Sequence, residues 1–231
     1  KKFYLKDQTD NEIIVGPSES MSKSKKNTID PEKMIKMYGA DAVRLFILSD
    51  SPPEKDIQWS ENGMASAHKY IQKFWGISEK ILKLIKKDKS NINTELETFT
   101  NQAINKINFS LEKFRYNVIV AVFHEVYSFY NKLLEKNNNY SNLEINFIKI
   151  LTVMMPLIPH ITNECLSILK NKNKIEWPEV NNKYLKTEEK DIVIQVNGKK
   201  RNIISIKENI SENILLEKIK EMKLIDKYIK D

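Results

Sequence analysis

The sequence predicts a mainly α-helical protein: a short lead-in with a basic loop, a bundle of antiparallel helices, and a small α+β module at the carboxy-terminal end. Three observations predict it. Between residues 60 and 172 apolar side chains recur at three- and four-residue spacing, the pattern of helices with one buried face. The runs are joined by short breaks, as at Pro156 and Pro159, which suits antiparallel neighbours. After Trp177-Pro178 the pattern changes to strand candidates around Asn197-Gly198, a strong two-residue hairpin turn.

Taken in order, residues 2–15 alternate weakly about a turn signal, Asp7-Gln8-Thr9-Asp10-Asn11, so Tyr4-Leu5 and Ile13-Ile14-Val15 are expected to pair as a short hairpin. Asp30 offers a helix N-cap, Pro31 the favoured first-turn proline, and Glu32 an acid at the positive helix end; Gly39 stops that helix. Residues 40–48 read as a second, largely buried helix, and Ser51-Pro52-Pro53 interrupts it. That break, with the change of pattern after Trp177-Pro178, gives three expected domains, 1–50, 51–180 and 181–231.

In the middle domain Ile71, Phe74, Trp75, Ile81, Leu82 and Ile85 share three-and-four spacing, with Lys69, Lys73, Lys80 and Lys83 on other faces. Residues 86–98 read as a polar connector. Further helices are expected over 101–115, 117–135, 143–155 and 160–170. In the last domain residues 191–196 and 201–206 read as paired strands. Ser211 then caps a helix with Ile214, Leu215, Ile219 and Met222 on its apolar face. A module of roughly 50 residues lies near the lower limit for independent folding.

The bulk numbers suit a packed protein. The chain has 231 residues, 41% hydrophobic and 30% charged, with a formal net charge of +7. That balance favours a polyanionic partner, although heavy use of Lys, Asn and Ile also reflects composition alone. One cysteine, Cys165, excludes an internal disulfide framework and a Cys-rich zinc site. It sits in an apolar stretch and reads as a buried, inert thiol in a reducing, cytoplasmic compartment. No apolar run approaches the ~20 residues a membrane span needs, and no membrane partner is expected. The chain does not begin with Met, and it reads as a piece of something longer.

The most pointed segment is Ser20-Met21-Ser22-Lys23-Ser24-Lys25-Lys26-Asn27. Two hydroxyls bracket a lysine, and such a loop can wrap a polyphosphate. Lys23 supplies a point charge, while Ser22, Ser24 and backbone N–H groups donate hydrogen bonds. Most lysine-serine clusters are solvated turns, so this chemistry alone is weak.

Other candidates carry less. His68, His124 and His160 lie on separate expected helices without ligand spacing, so no metal site is expected; His160, after Pro159, reads as capping or packing against a helix end. Lys69, Lys73, Lys80, Lys83, Lys86 and Lys87 read first as a solvated helix face. Phe114, Tyr116, Phe123, Tyr127, Phe129 and Tyr130 have helical spacing and read mostly as core. Arg115 is an RNA-phosphate candidate, with an internal ion pair the equal alternative. Lys199, Lys200 and Arg201 crowd a tight hairpin and must project outward, because burying them unpaired is costly. An RNA contact and a plain charged turn are both open there.

The order of residues says more than any one motif. The loop resembles the Lys-Met-Ser-Lys-Ser signature of class I aminoacyl-tRNA synthetases, with Ser20 at its first position. Ser22-Lys23-Ser24-Lys25-Lys26-Asn27-Thr28-Ile29-Asp30-Pro31 and Tyr38-Gly39-Ala40-Asp41-Ala42-Val43-Arg44-Leu45-Phe46 look like the leucyl-tRNA synthetase version. Trp59-Ser60-Glu61-Asn62-Gly63, Phe74-Trp75, Phe114-Arg115-Tyr116-Asn117, Met155-Pro156-Leu157-Ile158-Pro159-His160 and Trp177-Pro178 match later landmarks in sequence order. Val196-Asn197-Gly198-Lys199-Lys200-Arg201 is similar to the carboxy-terminal domain of bacterial-type leucyl enzymes.

The resemblance implies the end of a catalytic α/β domain, a helical bundle of the anticodon-binding fold, and a small tRNA-contacting α+β domain. It implies Lys23 as the catalytic residue on the ATP phosphates, with Ser20, Met21, Ser22 and Ser24 completing the ATP loop. It implies tRNA contacts for Arg115, Lys199, Lys200 and Arg201. The substrates would be ATP with Mg2+, leucine and leucine tRNA, on a monomeric enzyme. Ser20 removes one cation of the pattern, and Lys25 or Lys26 is expected to compensate. The His-x-Gly-His half of the nucleotide site and the editing domain lie outside these residues, so the piece alone should not aminoacylate. Alternatives are the equivalent region of an isoleucyl, valyl or methionyl enzyme, a noncatalytic RNA-binding module, and a helical protein-interaction domain.

Overall fold

The computed structural model describes residues 3–5, 8–14, 16–169, 176–185, 189–207 and 212–222. A hairpin of β1 (Phe3–Leu5) and β2 (Gln8–Ile13) opens the chain. The expected turn signal from Gln8 onward is therefore strand, with an irregular register at Tyr4/Leu5. The basic loop follows, then α1 (Pro31–Tyr38). Asp30 caps α1 by accepting the Glu32 N–H at 3.0 Å, and Gly39 ends it at φ +84°, a backbone setting that only glycine adopts freely.

The helices α2 (Ala40–Ser49), α3 (Glu61–Leu84), α4 (Thr94–Glu112), α5 (Tyr116–Glu135), α6 (Leu143–Met154) and α7 (Pro159–Ile168) pack around one hydrophobic core. Phe74, Phe123, Tyr130 and Phe147 are among its largest fully buried side chains. Through Ala42, Leu45 and Phe46, α2 shares this core, so the Pro52-Pro53 break interrupts the chain without dividing the packing. Gly63 makes the close approach possible: a Cβ there would lie 2.7 Å from the Phe46 ring.

Two sequence landmarks more than a hundred residues apart meet here. The buried Asp41 carboxylate accepts the N–H groups of His160 (3.2 Å) and Ile161 (2.8 Å) at the positive end of α7. One turn on, Arg44 Nε donates to the Leu157 carbonyl at 3.0 Å, and its Nη2 to that of Pro156. Thus α2 grips the Pro156–Ile161 corner from both sides. Asp41 supplies the side-chain cap of α7; the His160 side chain, expected to cap or pack against a helix end, is exposed.

The expected connector 86–98 is shorter than predicted. Asn93 accepts the Leu96 N–H at 3.1 Å, and Leu96 is fully buried, so α4 already begins at Thr94. Ahead of it β3 (Lys89–Ser90) pairs in parallel with β4 (Asn139–Tyr140), tying the α3–α4 link to the α5–α6 link. Asn139 Nδ2 donates to the Ile85 and Lys87 carbonyls (3.1 and 2.6 Å), and Asn142 Nδ2 to the Asn93 carbonyl and Glu97 carboxylate (3.0 and 2.9 Å). An asparagine tract that looks like filler thus satisfies the bundle's distal end.

At the far end, β5 (Glu189–Val196) and β6 (Lys199–Lys207) form the expected hairpin, with Asn197 and Gly198 both at positive φ. Ile192, Ile194 and Ile204 make a small cluster with Leu215 and Ile219 of α8 (Glu212–Glu221). Ile214 and Met222, expected on the same apolar face, are about half exposed. The expected cap Ser211 lies outside the described residues.

Candidate functional site

The basic loop is held by its own polar atoms. Ser22 N–H donates to Asn27 Oδ1 at 2.8 Å, and Asn27 Nδ2 reaches the Ser20 carbonyl at 3.4 Å. The Ser22 and Ser24 hydroxyls lie 3.1 Å apart, and Lys25 N–H donates to Ser22 Oγ at 3.3 Å. A turn closed by Lys26 N–H on the Lys23 carbonyl (3.2 Å), with Lys26 at φ +52°, makes Lys23 its first residue and Ser24 and Lys25 its centre. Lys23 is exposed and pairs with no carboxylate among the described residues. Asn27 clamps the base of the loop, a part that its place in the sequence does not reveal.

The cation expected to stand in for the one Ser20 lacks is partly committed. Lys25 Nζ sits 2.7 Å from Glu19 Oε2, an exposed pair that contributes little to stability. Lys26 is exposed. Ser20, Met21 and Asn27 border a cleft of about 730 Å3 whose other wall is Asp56, Ile57, Gln58 and Trp59. The loop base thus faces the chain that enters α3, while Lys23 lies outside the lining of that cleft.

The RNA candidates stand apart from the loop in sequence and from one another. Arg115 is the residue before α5, exposed, with its guanidinium 5.9 Å above the Phe109 ring. The alternative internal ion pair is not formed among the described residues. Lys199, Lys200 and Arg201 open β6 and are exposed, as the cost of burying them requires. The lysines at 69, 73, 80, 83, 86 and 87 are likewise exposed along and beyond α3.

The three histidines fall on α3, α5 and α7. His68 Nδ1 bonds the Tyr38 carbonyl at 2.8 Å, and His124 stands edge-on to Tyr70 at 4.7 Å. Burial, helped by the charge of Lys73, lowers the His124 pKa and favours the neutral ring. No group of three or more His, Cys, Asp or Glu able to hold a metal occurs among the described residues. Cys165 is fully buried in α7, and burial pushes its thiol up to about 11, which leaves it un-ionised and inert. No helix among the described residues is long and apolar enough to cross a membrane.

Two family models match parts of the chain. The anticodon-binding domain of tRNA ligase matches residues 93–216, and the class I tRNA synthetases for I, L, M and V match residues 13–60. The chain belongs to the family of the tRNA-ligase anticodon-binding domain, and its residues 13–60 are similar to class I synthetases.

Within that class its relatives are leucine–tRNA ligases. It is 34% identical to that of Orientia tsutsugamushi over 95% of this chain and 26% of the relative. Identity is 32% with the Bartonella henselae enzyme (94% and 26% covered) and 33% with that of Rickettsia felis (99% and 28%). The chain therefore spans about a quarter of the length of the curated relatives it matches. The fold matches that of Agrobacterium radiobacter K84 agnB2 LeuRS, solved in a ternary complex with tRNA and LeuAMS. The TM-score is 0.66 at 22% identity, over 91% of this chain and 28% of that one.

Proposed function

We propose that this chain is the part of a leucine–tRNA ligase that brings the ATP-phosphate loop and the tRNA-facing bundle and hairpin to the reaction. One observation carries the reading. The signature loop, the bundle and the small domain occur in one chain in family order, and a pure RNA binder has no use for the loop. In this reading residues 1–50 end the catalytic domain and lend α2 to the bundle's core, 51–180 form the rest of the bundle, and 181–231 form the small domain.

In the reaction, leucine carboxylate attacks the ATP α-phosphate, and the leucyl group then passes to tRNA. Lys23 neutralises the charge that develops on the α-phosphate and departing pyrophosphate. An exposed, unpaired lysine at the start of an exposed turn suits this, because a flexible compact cation can follow moving phosphates. Ser22, Ser24 and backbone N–H groups add hydrogen bonds when phosphate oxygens replace the loop's internal partners. Met21 and the Gly16-Pro17 pair shape the closing movement. Magnesium enters as part of the nucleotide substrate, on its phosphates. Arg115, Lys199, Lys200 and Arg201 contact the leucine tRNA backbone, positioning it without reading sequence. The reading needs one copy of the chain and a cytoplasmic setting.

A salt titration tests the RNA half. The chain should bind leucine tRNA with an affinity that falls steeply as salt rises, and Lys199→Ala with Lys200→Ala should make that fall shallower. Binding that ignores salt, or a double variant with an unchanged slope, contradicts the hairpin assignment.

A further inference from the structure

The aromatic run through 114–130 divides in two. Phe123 and Tyr130 are fully buried, and Tyr116, Tyr127 and Phe129 are partly buried against the core. Phe114 is instead 60% exposed, and Phe109, on the last turn of α4, is 53% exposed.

Backbone geometry sharpens the oddity of Phe114. Helix α4 ends with Arg115 N–H on the Ser110 carbonyl (2.8 Å) and Phe114 N–H on that of Leu111 (3.1 Å). That paired closure puts Phe114 in the left-handed setting, φ +54°, where glycine is the usual residue. Helix α5 also turns off through a left-handed residue, Asn137 at φ +50°, and asparagine tolerates it. A phenylalanine there strains the backbone and gains no burial. A residue that breaks a local rule without a stabilising return points to function.

The surroundings indicate what the ring is for. The next residue in the chain, Arg115, lines a hollow of about 300 Å3 with Phe109, Val118, Val122 and the Lys106–Glu125 pair. Phe109 presents an aromatic face with the Arg115 guanidinium above it, while Phe114 meets Tyr116 edge-on at 6.2 Å. Lys106 is neutralised by Glu125 at 2.8 Å, and the exposed neighbours Glu112 and Lys113 offset each other. Arg115, above one exposed ring and next in sequence to the other, is therefore left as the net positive charge. Flat apolar faces beside one fixed cation match an unpaired nucleobase followed by its phosphate. A paired duplex keeps its bases stacked inside and offers no face to such a surface.

We propose that Phe109, Phe114 and Arg115 form a stacking platform for an unpaired nucleotide of bound RNA, the rings taking the base and Arg115 the adjoining phosphate. This rests on the RNA-binding reading above and adds the kind of nucleotide and where it sits.

The 231-residue chain can be tested with two probes of equal phosphate count, an RNA stem–loop with an unpaired loop and a blunt RNA duplex. Phe114→Gly removes the ring and relieves the strained turn, so it keeps or raises thermal stability while weakening stem–loop binding about tenfold. Phe109→Leu should weaken the stem–loop similarly and Phe109→Trp restore it, with duplex binding unchanged in all three. Arg115→Ala should weaken both probes and reduce the salt dependence.

Stem–loop binding unchanged in Phe114→Gly and Phe109→Leu, but still weakened by Lys199→Ala with Lys200→Ala, overturns the platform and leaves the RNA reading standing. Equal losses on both probes in the ring variants also overturn it. Failure of the wild-type chain to bind either RNA removes the RNA reading and the platform together. If the ring variants instead lower the melting temperature of the complete ligase with RNA binding intact, the rings are a packing face for another domain.

Discussion

The bundle and the loop are built on opposite principles. In the bundle, six helices bury their apolar faces in one core, and the polar groups at the helix ends are tied by Asp41, Arg44, Asn93, Asn139 and Asn142. In the loop every residue from 20 to 27 except Ser22 is exposed, and a handful of side-chain hydrogen bonds sets the shape. The bundle resists change, and in the proposed function the loop exchanges its internal partners for phosphate oxygens. Stability and the proposed chemistry therefore reside in different parts of one chain, and substitutions should separate them.

The largest effect should come from the core. Phe74→Ala empties a fully buried site in α3 and should cost about 3–5 kcal/mol in denaturant unfolding. A loss under about 1 kcal/mol would mean the helices do not share one core. Asp41→Ala comes next, because it leaves the His160 and Ile161 N–H groups without their carboxylate. A loss of about 1–3 kcal/mol is expected, read from the melting curve. An unchanged melting temperature would show that the α2 grip on the α7 corner is dispensable. At the small end, Asn27→Ala should move global stability by less than about 0.5 kcal/mol, since it is an exposed site. It should still speed amide exchange at Ser22, whose N–H loses its 2.8 Å acceptor. Unaltered exchange there would remove Asn27 as the clamp of the loop.

The same contrast governs what the sequence could show. Periodicity located every bundle helix, because burial imposes a three-and-four rhythm that survives translation into letters. Asp30, Pro31 and Gly39 fixed the ends of α1 because their roles are local. What stayed hidden was partnership across long separations. Asp41 and Arg44 read as part of a mostly apolar helix, and nothing near them in sequence names residues 156–161 as their targets. Asn93 did announce a cap, with Glu95 and Glu97 in the first turn, but the polarity of 86–98 masked it. Phe114 read as core by spacing, although it sits at a helix exit where spacing no longer applies. For the loop, physics gave only a weak phosphate motif. Its order relative to Asp30-Pro31, Gly39 and the landmarks beyond made it legible, and the Asn27 clamp emerged only in three dimensions.

The central claim is that Lys23, at the start of an exposed turn that contributes nothing to the core, handles the ATP phosphates. Leucine-dependent ATP–pyrophosphate exchange in the complete ligase, with Lys23→Ala against the unaltered protein, tests it most directly. The account predicts a fall of at least about a hundredfold with the melting temperature unchanged. Exchange within about twofold of the unaltered enzyme would contradict it.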